Sequence, residues 1–355
     1  EGRKELTGKE AFKLHDTYGF PVDLTIEMAE EKGLEVDVDG FNKAMQEQKD
    51  TARDARTEGS SWDGNETFEF ENAEPTVFVG YDTLETDAKV VGIVVEDEGV
   101  CDTIIENQKG FIVTDKTPFY AEMGGQVGDC GTMHNDNCNI KINDCVKFGG
   151  NKFIHTGVVE NGQIKVGDTI DLDIDVKNRM DIARNHTATH ILQAALREVL
   201  GSHIEQAGSY VSKDRLRFDF THFEAISKED LARVEHIVNE KILASIPVKM
   251  EEMPIAEAQK LGAMALFGEK YGETVRVVEM GDFSMEFCGG THLDNTAKAG
   301  PFRIKSESSV ASGVRRIEAT CGRMSLESME KTSGVLVRAA QFFKTAPSGL
   351  LERME

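Results

Sequence analysis

DIARNHTATHILQAALREVL, residues 181–200, decides how the second half of the chain is read. Apolar residues recur around the helical period, and Gly201 stands where a helix should stop. Inside this predicted helix lie His186 and His190, four residues apart, so both imidazoles share one face. Nearly a hundred residues on, Cys288-Gly-Gly-Thr-His292 follows a β-rich run, Phe283–Phe287. Imidazole nitrogen and thiolate sulfur are the ligands that zinc prefers, and four such groups on two segments can surround a tetrahedral ion.

Around these two segments the pattern is mixed α/β. Tyr210–Val211, Leu216–Phe220 and Thr274–Met280 read as strands. Ser227–Ser245 reads as a helix with Ser227 as cap and Leu231, Val234, Ile237, Val238 and Ile242 on one face. Residues 326–355 look helical and amphipathic. Upstream, short β-rich runs recur at Lys89–Val95, Thr103–Ile105, Gly110–Val113, Lys152–Val159, Gln163–Val166 and Thr169–Ile174. Turn pairs such as Asn161-Gly162 and Gly167-Asp168 separate them, which suggests a small barrel. At the start, Thr7 and Glu10 form a capping box before Ala11, Phe12 and Leu14. Gly19 and Pro21 break that helix. Further helices are expected over Val22–Gly33 and from Asp39 towards Arg56, with a polar linker over residues 57–65. The fold class is therefore α+β: a helical segment over 1–65, a β-barrel over 66–175, an α/β zinc-containing domain over 176–325 and a helical connection over 326–355.

The 355 residues are 39% hydrophobic and 29% charged, ordinary values for a globular chain of two or three domains. No apolar run reaches the ~18 residues of a membrane span. The opening EGRKELTGKEAF has neither an initiator Met nor an apolar signal segment, so a piece of a longer protein is expected. Six Cys do not make a disulfide framework and suit a reducing cytoplasm. The net charge is −23, which by itself argues against a nucleic-acid binder. The acidity is localised: residues 61–175 carry −16, residues 176–325 only −1. A polyanion could still approach the second region.

Cys130, His134, Cys138 and Cys145 form a rival cluster, but without a tight Cys-x2-Cys knuckle and inside the barrel-like segment, where buried Cys is common. The helix at 186–190 lacks the Glu of His-Glu-x-x-His, so a zinc protease of that type is not indicated. Thr187 and Gln206 can position water or a carbonyl but are poor general bases. A metal that polarises a carbonyl suits an activated ester better than an amide. Gly124-Gly125, in Glu122-Met-Gly-Gly-Gln-Val-Gly128, reads either as a barrel turn or as a substrate-facing loop. Gly289-Gly290 lets backbone approach a ligand. Lys213, Arg215 and Arg217 alternate on one strand face, and Arg315-Arg316 lie further on. Such residues can contact phosphate.

These motifs together resemble one family. His-Thr-Ala-Thr-His, Cys-Gly-Gly-Thr-His and Ser-Gly-Val-Arg-Arg-Ile-Glu-Ala (312–319) resemble the editing domain of alanyl-tRNA synthetases. Residues 13–25, KLHDTYGFPVDLT, resemble the end of those enzymes' aminoacylation and tRNA-recognition region. Threonyl-tRNA synthetase editing domains share a looser layout without the Arg-Arg-Ile-Glu-Ala segment. The resemblance implies one Zn2+ on His186, His190, Cys288 and His292, with Thr187 and Gln206 around the mischarged amino acid. It implies a role in substrate discrimination for the loop of Gly124 and Gly125; Gly289 and Gly290 are expected substrate contacts from the bare turn itself. It also implies contacts to tRNA(Ala), for which Arg215, Arg217, Arg315 and Arg316 are the candidates. The reaction implied is hydrolysis of seryl- and glycyl-tRNA(Ala). ATP and Mg2+ would serve only a catalytic core that precedes residue 1, in a parent that attaches alanine to tRNA(Ala). Other classes remain open: a tRNA-binding module with structural zinc, and a zinc-dependent amidase that lacks a nearby Glu base.

Overall fold

The computed structural model describes residues 5–18, 25–26, 28–29, 34–38, 40–41, 43, 74–149, 151–265 and 272–354. The chain forms two compact units, one of residues 1–72, 222–225 and 309–315, the other of the remainder. In the first, the strands Glu5–Leu6 and Glu35–Val36 pair in parallel. Helix Gly8–Tyr18 begins at the expected capping box: Glu10 N donates to Thr7 Oγ1 at 3.4 Å and Thr7 N to Glu10 Oε2 at 3.1 Å. The breakers Gly19 and Pro21, the linker at 57–65 and most of the two further helices lie outside the described residues.

The second unit contains a closed barrel of six antiparallel strands. Their order around the barrel is Cys138–Phe148, Gly131–Asn135, Thr169–Ile174, Glu85–Val95, Lys109–Thr114 and Lys152–Lys165, and the last pairs again with the first. Alternation builds it. Ile170, Leu172 and Ile174 point inward from one strand, and Cys138, Ile140 and Ile142 from another. Glu85, Asp87, Glu160 and Asp171 stay exposed, so much of the acidity is a solvated face.

The turn expected at Asn161-Gly162 is not there. Lys152–Lys165 is one continuous strand. Its register to the neighbouring strand shifts between Asn139 and Ile140, and Gly162 has φ 76° with the space for a Cβ taken by Asn137 O at 1.8 Å. A bulge at Glu160 carries the strand through the place where a turn was expected, and Gly162 stays opposite Cys138.

After the barrel, helix Val176–Leu200 starts on Asp175, whose side chain accepts from Asn178 N at 2.9 Å. Most of it is buried from Arg179 to Leu196. It packs on helix Lys228–Leu243, which Ser227 caps as expected. Strands Gln206–Val211, Leu216–Thr221, Val314–Cys321 and Phe302–Ala311 form one sheet in that order. Val248–Pro254, Thr274–Met280 and Ser284–Phe287 form a second. One core joins Ile191, Leu192, Phe218, Phe220, Val234 and Phe302. The barrel core is separate. Helix Arg323–Phe342 follows, largely exposed, and a shorter helix Leu350–Met354 ends the described chain. Among the described residues no helix is long and apolar enough to cross a membrane.

Buried polar contacts fasten the long helix to the barrel. Arg179, in its first turn, donates from Nε to both Asp129 oxygens at 3.0 and 2.9 Å. It also donates to the carbonyls of Gly80 at 2.9 Å and Pro118 at 2.8 Å. Asp129 accepts from Tyr120 N as well, at 2.7 Å. A buried charge pair so fully bonded costs much less than either charge alone.

Candidate metal centre

The helix carries His186 and His190 one turn apart, with ring centroids 5.4 Å from each other. The Cys288–His292 turn brings two more donors to the same point. One ligand atom from each of His186, His190, Cys288 and His292 lies within 4.8 Å of all the others. Cys288 Sγ is 3.4 Å from His186 Nε2 and 3.3 Å from His292 Nε2. With Zn–N near 2.0–2.1 Å and Zn–S near 2.3 Å, the edges of a tetrahedron measure about 3.3–3.6 Å. Cys288 therefore stands from His186 and His292 at the spacing a tetrahedral ion needs, and His190 lies within 4.8 Å of all three.

Each imidazole has a polar group behind it, and for two of them it is a hydrogen bond. His186 Nδ1 meets Gln126 Oε1 at 2.7 Å, His292 Nδ1 meets Thr187 Oγ1 at 3.2 Å, and His190 Nδ1 faces Glu286 Oε2 at 3.3 Å. Partners of this kind orient metal ligands. His190 Nδ1 makes no well-directed hydrogen bond. Burial holds all three imidazoles in the neutral, ligating form. It lowers His190 to about 3 and His186 and His292 well below the usual value, with Arg276 adding to the effect. Burial also pushes Glu286 up to about 8. The donor set fits zinc: three neutral nitrogens, one sulfur and a set of orienting groups.

The Cys-Gly-Gly-Thr-His turn is fixed by its carbonyls. Arg276, on the adjacent strand, donates to Cys288 O at 3.0 Å and to Gly290 O at 2.8 Å. Its guanidinium lies 4.1 Å from the Tyr81 ring centroid, and the Tyr81 hydroxyl donates to Gly289 O. Gly290 cannot carry a side chain, because a Cβ would sit 2.0 Å from His186 Cε1. Gly125, at φ 80°, has its Cβ position 2.4 Å from Ser209 O, whereas the Cβ position of Gly124 is open.

The remaining expected residues fall in different places. Thr187 is fully buried, and its hydroxyl also accepts from Leu293 N at 3.1 Å. It stands behind His292. Gln206 lines a cavity of about 280 Å3 with Gln193, Arg197, Ile204, Glu205, Met264 and Ala265; none of the four metal donors is among these residues. Arg215 pairs with Glu318 at 3.0 Å, and Arg316 makes a two-pronged pair with Asp219 at 2.6 and 2.8 Å. Arg217 lies 3.7 Å from Asp219, and both Arg215 and Arg217 sit over the Tyr210 ring. The rival group does not converge. His134 pairs with Asp173 at 2.6 Å, and Cys138 and Cys145 are buried in the barrel core. All six Cys are free thiols.

A family model described as tRNA synthetases class II (A) matches residues 1–178. The chain belongs to this family. A second model, the threonyl and alanyl tRNA synthetase second additional domain, matches residues 275–318, which include Cys288 and His292. Along its whole length the chain is 48% identical to alanine–tRNA ligase 1 of Lachnoclostridium phytofermentans and 50% identical to alanine–tRNA ligase of Acetivibrio thermocellus. It is 47% identical to that of Clostridioides difficile. It spans about 40% of the length of these relatives. Gln126, Glu286, Arg276 and Tyr81 were not singled out from sequence. Gln126, inside the Glu122–Gly128 loop, and Glu286, two residues before Cys288, lay close enough to a motif to be suspected.

Proposed function

We propose that the chain is the editing portion of an alanine–tRNA ligase and hydrolyses the aminoacyl ester of seryl- and glycyl-tRNA(Ala). The observation that carries this reading is the convergence of His186, His190, Cys288 and His292, each imidazole backed by a buried polar group. When bound, zinc supplies Lewis-acid polarisation of a carbonyl. The chain does the rest. Exposed Gly289 leaves the turn bare, so an ester can approach it, while Gly290 lets the turn pack directly on His186. Gln206 offers an amide to the substrate or to water, and Thr187 holds the His292 ring. Gly124 and Gly125 let the barrel loop face the substrate.

Editing answers a physical limit. A pocket for alanine cannot strongly reject glycine or serine, because one methylene or hydroxyl is worth only about 1–3 kcal/mol, and a second hydrolytic site recovers the difference. The parent enzyme would join alanine to tRNA(Ala) with ATP and Mg2+ in the cytoplasm, using flanking domains. The working division of the chain is 1–65, 66–175, 176–325 and 326–355. Acceptor-stem phosphates would meet Arg215, Arg217, Arg315 and Arg316. Because Arg215 and Arg316 are already paired with carboxylates, their affinity for phosphate should be weak and salt-sensitive.

The deciding experiment incubates the zinc-loaded chain with seryl-tRNA(Ala) and, separately, alanyl-tRNA(Ala). Selective loss of the seryl ester is expected, and equal or no loss would contradict the reading. A second reading, a tRNA-binding module with purely structural zinc, draws on one observation: four protein donors close a tetrahedral site, whereas catalytic zinc keeps a position open. Tight zinc with no deacylation would favour it.

A further inference from the structure

The Gly-rich barrel loop reaches into the metal centre through one side chain, Gln126, which is fully buried. Its backbone is pinned on both sides. Gln126 N donates to Met123 O at 3.1 Å, and the flanking residues bond to Val211: Val127 N to Val211 O at 3.1 Å, Val211 N to Gly125 O at 2.7 Å. Its amide makes three contacts. Oε1 accepts from Thr291 N at 2.9 Å and lies 2.7 Å from His186 Nδ1, while Nε2 donates to Thr291 Oγ1 at 2.9 Å.

These contacts settle a proton position. A backbone N–H only donates, so the amide atom facing Thr291 N must be the oxygen. That oxygen only accepts, so His186 Nδ1 must carry the proton it shares with Gln126. The Nε2 lone pair is then left free, and Nε2 is the atom 3.4 Å from Cys288 Sγ. Thr291 lies between two of the other donors, so Gln126 also ties the His helix to the Cys288–His292 turn. Gly290 makes this possible, since a Cβ there would come within 3.0 Å of Gln126 Oε1.

We propose that Gln126 is a positioning residue of the metal centre: its side-chain oxygen holds His186 as the Nδ1–H tautomer, with Nε2 unprotonated toward the shared ligand point. An imidazole without such a partner exchanges between tautomers and rotates, and must be ordered again for each ion it takes up. The inference rests on the metal reading of the four donors. It makes the barrel loop part of the site and not only a neighbour of it.

Three chains test it: wild type, Gln126→Met and Gln126→Glu. Met fills a similar volume with no acceptor oxygen. Glu keeps the acceptor, and the Thr291 hydroxyl can turn to donate to it. In the metal-free wild type, 15N–1H correlation of the histidine side chains should give the His186 ring the Nδ1–H pattern. Gln126→Met should lose that pattern and bind zinc about 10–100-fold more weakly in a chelator competition. Gln126→Glu should keep the pattern and bind near the wild-type value, a rescue that loss of packing alone would not give. An Nε2–H pattern for His186 in the wild type overturns the proposal even if Gln126→Met fails to fold. So does wild-type zinc affinity in Gln126→Met. If the wild type takes up no zinc, the metal reading fails instead, and the wild-type tautomer still decides the role of Gln126.

Discussion

His155 and His186 are both fully enclosed imidazoles, one in the barrel and one on the long helix, yet their two nitrogens are used differently. In the barrel, His155 Nδ1 donates to Ile112 O at 2.9 Å and Nε2 meets Thr117 Oγ1 at 2.7 Å. Both nitrogens serve the fold. On the helix, His186 spends Nδ1 on Gln126 and turns Nε2 toward Cys288, and His292 does the same with Thr187 behind it. The cysteines divide in the same way. Cys145 is sealed in the barrel core, where burial pushes its thiol well up, while Cys288 stands at the end of a strand among three rings. A buried His or Cys is thus a ligand only when one lone pair is left over and aimed at others.

The comparison can be broken by removing a ligand from the site and a thiol from the core. Cys288→Ala should lose stoichiometric zinc. It should also lose the stability that zinc lends, about 4 kcal/mol when free zinc is about a thousand times its dissociation constant. Cys145→Ala should keep one zinc per chain and lose only about 1–2 kcal/mol from the cavity it leaves. Metal analysis and thermal melts of both variants check this. Zinc retained by Cys288→Ala and lost by Cys145→Ala would reverse the assignment.

Acid should sharpen the contrast next. Burial lowers His155 to about 4 from the ordinary 6.5. Between those values the unfolded chain binds a proton that the folded chain refuses, so stability falls as pH drops from 6.5 towards 4. The loss from His155 is at most about 3 kcal/mol. His155→Leu should be less stable at pH 7 because Ile112 O and Thr117 lose their partner. Its stability should nevertheless fall less steeply with acid, and its zinc content should be unchanged. Denaturant midpoints across pH read this directly.

The smallest effect is expected behind His292. Thr187→Val removes the hydroxyl on His292 Nδ1 but keeps the buried volume. Zinc affinity should fall about tenfold, the low end for such partners, with the circular dichroism spectrum unchanged. Seryl-tRNA deacylation should fall with it. Unaltered affinity would mean that the hydroxyl serves only Leu293 N.

How much of this was legible in the sequence depended on chain distance and composition. The four donors were legible because His186 and His190 lie one helical turn apart and Cys288 and His292 share a short turn. The caps at Thr7 and Ser227 were legible because capping is local. Gln126 was not, since it acts 60 residues from His186 through a loop that looks like a turn. The strands Gly131–Asn135 and Cys138–Phe148 were missed because Asn and Asp crowd them, although Cys138, Ile140 and Ile142 alternate correctly. The turn expected at Asn161-Gly162 failed because a positive-φ Gly can also sit inside a strand next to a bulge, here at Glu160. The ion pairs of Arg215 and Arg316 were not legible, because their partners Glu318 and Asp219 are about a hundred residues away in sequence and adjacent only in the sheet.

His186, His190, His292 and Cys288 would make a single centre of three nitrogens and one sulfur. Zinc K-edge X-ray absorption on the wild-type chain carrying one equivalent of zinc tests it most directly. One sulfur at about 2.3 Å and three nitrogens at about 2.0–2.1 Å are expected. A shell of two or three sulfurs, such as the rival Cys130, Cys138 and Cys145 would give, would contradict it.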